Sequence, residues 1–74
     1  MNKTAKKTWF VYQVFMNGSE KLYKSGLTDL EADEAQAELD RLIENGSCGD
    51  GCAVCGDLNE ETDVYVAKRL GLIK

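Results

Sequence analysis

The stretch from Leu27 to Gly46 constrains the fold more than any other, because it reads as one amphipathic helix with both ends marked. Thr28 and Glu31 stand at the S/T-x-x-E spacing of a capping box, in which the hydroxyl oxygen accepts from an early backbone N–H and the carboxylate accepts from the cap's own N–H. Gly46 supplies the left-handed residue at which a helix stops. Ala32, Ala35, Leu39, Leu42 and Ile43 recur at helical spacing and predict one buried stripe, so the helix must lie on something. The other faces are acidic: Asp29, Glu31, Asp33, Glu34, Glu38, Asp40 and Glu44 stand against the single base Arg41.

What the helix lies on is read from the flanking segments. Trp9-Phe10-Val11-Tyr12-Gln13-Val14-Phe15-Met16 is aromatic and β-branched and runs into Asn17-Gly18, a strong hairpin signal. A two-residue turn there sets Met16 opposite Ser19 and Tyr12 opposite Tyr23, with a second strand from Ser19 to Ser25. Asp63 to Leu70 alternates like a third strand, and Gly71-Leu72-Ile73-Lys74 is a short apolar tail that extends it or packs over the sheet. The expected fold is α+β, in the order ββαβ: a three-stranded antiparallel sheet of order 2-1-3 with one helix on one face. The central place falls to Trp9–Met16, the strand that is apolar on both faces. Phe10, Tyr12, Val14 and Met16 are expected to meet the helix. Trp9, Val11 and Phe15 would then lie on the other face, either bare and open to a partner, a second copy of the chain or single-stranded nucleic acid, or covered by Lys and Glu stems of the second strand and by Leu72-Ile73.

Seventy-four residues make one domain, read as 9–74, preceded by a basic flexible tail over residues 1–8. The longest apolar run, Trp9 to Met16, is too short to span a bilayer, and the polar, basic start has no signal-peptide core. Three cysteines is an odd number, unlike the even disulfide frame of a small secreted domain. Together these features predict a cytoplasmic protein. Seven acids and one arginine leave Asp29–Asn45 at −6, so the remaining residues carry a net +2 against the chain's −4, which is not the balance of a nucleic-acid coat protein.

Residues 46–59 form an expected loop rich in glycine, carrying Cys48, Cys52 and Cys55 in a C-x3-C-x2-C spacing. Two cysteines two residues apart can grip one metal, so a small zinc or iron–sulfur module on Cys48, Cys52 and Cys55 is one reading, with Asp50 or Asp57 as the fourth ligand of a zinc site. A Cys52–Cys55 disulfide, or three free thiols with no cofactor, is the other. The same spacing resembles the cluster loop of radical-SAM enzymes, but a chain of this length cannot build their barrel. Without histidine, general acid–base work near neutral pH would fall to carboxylates on an exposed helix, so no enzyme is expected.

The acids carry the leading reading. Those in the first turns favour the helix dipole, but Glu34–Glu38 and Asp40–Glu44 are repelling i,i+4 pairs that no local rule rewards. They are read either as a solvated face that keeps the chain soluble or, as the leading functional reading, as a non-enzymatic protein-binding module that presents Glu34, Glu38, Asp40 and Glu44 to a basic surface of a nucleic-acid-handling protein, with Trp9 and Phe15 adding apolar contact. Single-stranded nucleic acid stacking on Trp9, Tyr23 and Tyr65, beside Lys24 and Arg69, is a further reading.

The ββαβ plan over Trp9–Leu70, the acidic helix and the lack of catalytic residues resemble the small proteins by which phages and mobile elements disable host machinery. Anti-CRISPR proteins and the phage inhibitor of bacterial RNA polymerase are of this type. The resemblance implies an inhibitor acting on a host protein; it includes neither the cysteine loop nor any residue-by-residue site.

Overall fold

The structure is a computed structural model that describes residues 7–73. Its elements run β1 (Trp9–Val14), β2 (Glu20–Leu27), α1 (Asp29–Glu44), β3 (Cys52–Asp57) and α2 (Glu61–Arg69). The strands form one antiparallel sheet of order β2-β1-β3, the class and strand order expected from the sequence. The doubly apolar β1 lies in the middle, as its composition demands.

The third strand, however, is not Asp63–Leu70 but Cys52–Asp57, inside the expected cysteine loop, and Asp63–Leu70 belongs to a second helix. The β-branched and aromatic run Val64-Tyr65-Val66 favours a strand by propensity. Burial follows a different period. Asp63, Val64, Val66, Ala67 and Leu70 are the positions at least half-buried, spaced as one helical face, with Ala67 fully enclosed. Glu61 and Asp63 in the first turn and Lys68 and Arg69 in the last suit the helix dipole. Gly71, at φ +80°, lets the chain turn so that Leu72 N–H reaches Ala67 O at 2.9 Å and Gly71 N–H reaches Lys68 O at 3.1 Å.

α1 keeps both predicted ends. Thr28 Oγ1 accepts from Glu31 N–H at 3.2 Å while Glu31 Oε1 accepts from Thr28 N–H at 2.9 Å. Gly46 follows the last turn at φ +85°.

The hairpin closes one residue differently from the expected register. Phe15 N–H donates to Ser19 O at 2.8 Å and Gly18 N–H to Phe15 O at 2.9 Å, so the loop is Met16-Asn17-Gly18 rather than Asn17-Gly18. Tyr12 therefore faces Leu22, not Tyr23. Further along, Val11 pairs with Lys24, which leaves Tyr23 as an extra residue in β2.

This register and the second helix reverse the expected faces. Val11 and Ala53 bury against Ala32, Ala35 and Leu39 of α1, with Trp9, Tyr23, Leu27, Cys48 and Cys55 packed around them. Phe10, Tyr12 and Ala67 form the core on the other side, closed by Val14, Leu22, Val54, Val66, Leu70, Leu72 and Ile73. Among the described residues no sheet face is left bare: α2 and the Leu72-Ile73 tail cover the side opposite α1. Met16, expected under the helix, is 80% exposed at the hairpin tip.

The connection from α1 to β3 is held from below. Gln13, buried in the sheet, donates its Nε2 to Cys48 O at 2.7 Å and Asp50 O at 2.6 Å. The expected tail over residues 1–8 falls partly outside the described residues. Thr8 already belongs to the fold, since its O accepts from Leu58 N–H at 2.9 Å and its Oγ1 donates to Asp57 at 2.7 Å.

Candidate protein-docking face

The acids of α1 divide into two groups. Asp29 Oδ1 accepts from Leu30 N–H at 2.8 Å and Glu31 completes the capping box, so both serve the helix end. Glu38 is engaged as well: its Oε1 accepts from the Tyr23 hydroxyl at 2.6 Å and lies 3.2 Å from Lys24 Nζ. Those two contacts, the tyrosine first, hold its carboxyl below the usual carboxylate range. Expected as a partner-facing acid, Glu38 instead ties α1 to β2. Its tie depends on the extra residue at Tyr23, which no sequence period announces.

Asp33, Glu34, Asp40 and Glu44 are exposed and make no side-chain hydrogen bond or ion pair among the described residues. At 100° per residue, Asp33, Asp40 and Glu44 fall in one line on the side away from the buried Ala32, Ala35 and Leu39, spanning about 16 Å of helix. The exposed Leu30 and Ala37 lie beside that line. Asp33 is the residue that reading the later acids alone leaves out, and a helical count would have included it. Glu34 lies about 100° round the helix. It lines a shallow cleft of about 240 Å³ with Lys24, Leu27, Glu31, Ala35 and Glu38.

Trp9 and Phe15 do not join this face. Trp9 is half-buried in the α1 core, and Phe15 is half-buried with its ring edge close against Gly49. The residues expected to stack single-stranded nucleic acid are also dispersed. Tyr65 is exposed on α2, Tyr23 and Lys24 are bound to Glu38, and Arg69 makes a two-point contact with Glu20 at 2.9 and 3.0 Å.

The cysteines are separated by the strand they occupy. Cys52 pairs with Val14 and Cys55 with Val11, so they point to opposite faces of the sheet. Three residues of strand also set their Cα atoms about 10 Å apart, beyond the roughly 4.4–6.8 Å that a disulfide spans. Cys52 is exposed, while Cys48 and Cys55 are half-buried on the α1 side. Among the described residues no three His, Cys, Asp or Glu side chains come together to hold a metal, so Cys48, Cys52 and Cys55 are not gathered as their spacing predicts. The Cys55 thiol donates to Gln36 Oε1 at 3.3 Å, and burial pushes its pKa up.

No helix among the described residues is long and apolar enough to cross a membrane. Protein-family models, curated proteins and solved structures give no match to this chain.

Proposed function

We propose that this chain is a non-enzymatic protein-binding module, an inhibitor of the kind phages and mobile elements use against their hosts. It would set the outer line of α1 against a basic, nucleic-acid-handling surface in the cytoplasm. One observation supports the reading above the rest: Asp33, Asp40 and Glu44 lie in a row on one helix, and among the described residues none of them is held in an ion pair. Carboxylates in such a row repel one another and cost the fold a little, a cost that contact with a cationic surface would offset. Leu30 and Ala37 add an apolar strip for the contact to dry.

Association through this row would be steered by charge and weakened by salt, and nucleic acid would compete for the same groove. The test is affinity capture from the native cell with the wild-type chain and with Asp33→Lys/Asp40→Lys/Glu44→Lys, followed by direct binding measurement on the captured protein. The expected result is a loss of affinity of about tenfold or more, chiefly in the association rate, with both chains equally folded. Equal binding by the two chains would remove α1 from the interface.

A further inference from the structure

β3 lies at the edge of the sheet, and its hydrogen-bonding alternation is set by one contact. Leu58 N–H donates to Thr8 O at 2.9 Å, so Cys52, Val54 and Gly56 aim their backbone groups at β1. Ala53, Cys55 and Asp57 therefore aim theirs away from the sheet.

Three of those outward groups are taken from within the chain. Gln36 Nε2, from α1, donates to Ala53 O at 3.0 Å. Asp57 N–H donates to Asp63 Oδ2 of α2 at 2.9 Å, and Glu60 N–H donates to Asp57 O at 2.9 Å. Between them, Cys55 N–H and C=O have no partner among the described residues.

The occupied atoms are those that a second β3 strand would use. In an antiparallel pair centred on Cys55, each Cys55 exchanges both backbone bonds with its counterpart, and Ala53 of one copy lies opposite Asp57 of the other. Ala53 O would then accept from the second copy's Asp57 N–H, which is the place Gln36 Nε2 fills. Asp57 N–H would donate to the second copy's Ala53 O, which is the place Asp63 Oδ2 fills.

The two edges of the sheet differ in how else they are guarded. β2 carries exposed Lys21 and Lys24 and two irregularities in its register, all of which discourage pairing. From Cys52 to Gly56, β3 has no charged residue and no break in register. We infer that Gln36 and Asp63 close the β3 edge by imitating a fourth strand, and that without them the chain pairs with a second copy of itself across Cys55.

The experiment compares the wild-type chain with Gln36→Ala/Asp63→Ala by sedimentation velocity over a range of protein concentrations, with amide hydrogen exchange read at Cys55. The wild type should stay monomeric, with Cys55 exchange independent of concentration. The double variant should form dimers, and its Cys55 amide should slow by about tenfold or more as concentration rises. Asp63 lies in the first turn of α2, so if the double variant does not fold, Gln36→Ala decides alone: a better helix former at that position preserves α1 and still frees Ala53 O. The inference is overturned by a folded variant that stays monomeric with unchanged Cys55 exchange, by dimers that protect β2 instead, or by a wild type that already pairs through β3.

Discussion

The Phe10 ring lies directly over Gly56 on the neighbouring strand, so closely that a Cβ at position 56 would stand 2.6 Å from the ring's Cζ. Phe10 is fully buried, stacked near Tyr12 with ring centroids 5.8 Å apart, so it has no open space to move into. Gly56→Ala should therefore cost about 1–3 kcal/mol of stability through overpacking. Phe10→Leu should recover part of that loss in the double variant, while destabilising the chain when made alone. Urea unfolding of the two single variants and the double variant measures the coupling; simple additivity would show that the ring and the glycine do not share the space.

Tyr23 and Glu38 give stability two pH-dependent edges. The hydrogen bond to Glu38, with burial and the nearby negative charge, pushes the Tyr23 hydroxyl up from 10.0 to about 12. A pKa raised by folding contributes stability fully below the unfolded value and loses it as pH rises from 10 towards 12. Glu38 is lowered from 4.5, so its contribution is full above that value and is lost as pH falls through the lower folded one. The stability difference between wild type and Tyr23→Phe should be flat through neutral pH and shrink at both extremes. A difference that is constant from pH 3 to 12 would mean the bond contributes nothing in solution.

The thiols should react in the order of their exposure. Cys52 is exposed at the start of β3, whereas burial and the negative charge of Asp33 raise the Cys55 pKa, and Cys48 is half-buried against the α1 core. With an aromatic disulfide reagent, one thiol should react about tenfold or more faster than the other two in the folded chain, and all three alike in denaturant. Mild oxidation should give no Cys52–Cys55 bridge by peptide mapping, because the strand holds those side chains on opposite faces. Finding that bridge at native pH would mean β3 opens.

The parts of the fold that were legible are those set by residues close in sequence. The Thr28–Glu31 box and the stop at Gly46 need only three or four neighbours, and both stand as read. The centrality of β1 follows from its being apolar on both faces. The second helix was hidden because Val64-Tyr65-Val66 states a strand preference, which the need to cover Phe10 and Tyr12 overrides. β3 was hidden because Cys-Ala-Val-Cys reads as ligand spacing, and nothing local says that Gly56 will lie under Phe10. On the candidate face, the row Asp33, Asp40 and Glu44 can be counted from the sequence, but Glu38's bond to Tyr23 depends on a strand irregularity.

Gln13 shows how one buried side chain positions the glycine-rich connection. It is 4% exposed, and its Nε2 donates to both Cys48 O at 2.7 Å and Asp50 O at 2.6 Å. Asp50 in turn accepts from Met16 N–H at 3.2 Å, so the hairpin tip is tied to the same connection. Gln13→Leu would fill similar space but leave two carbonyls without their donor, a loss of about 1–3 kcal/mol. Gln13→Glu tests whether the donor, not the shape, matters. An ionised carboxylate would face two carbonyl oxygens and destabilise more than leucine, whereas the protonated acid restores one donor, so the Glu variant should gain on the Leu variant as pH falls. In both variants the amides of Met16 and of Ser47 to Gly51 should exchange faster than those of α1. If α1 and the connection loosen together, the clamp supports the whole helix and not the loop alone.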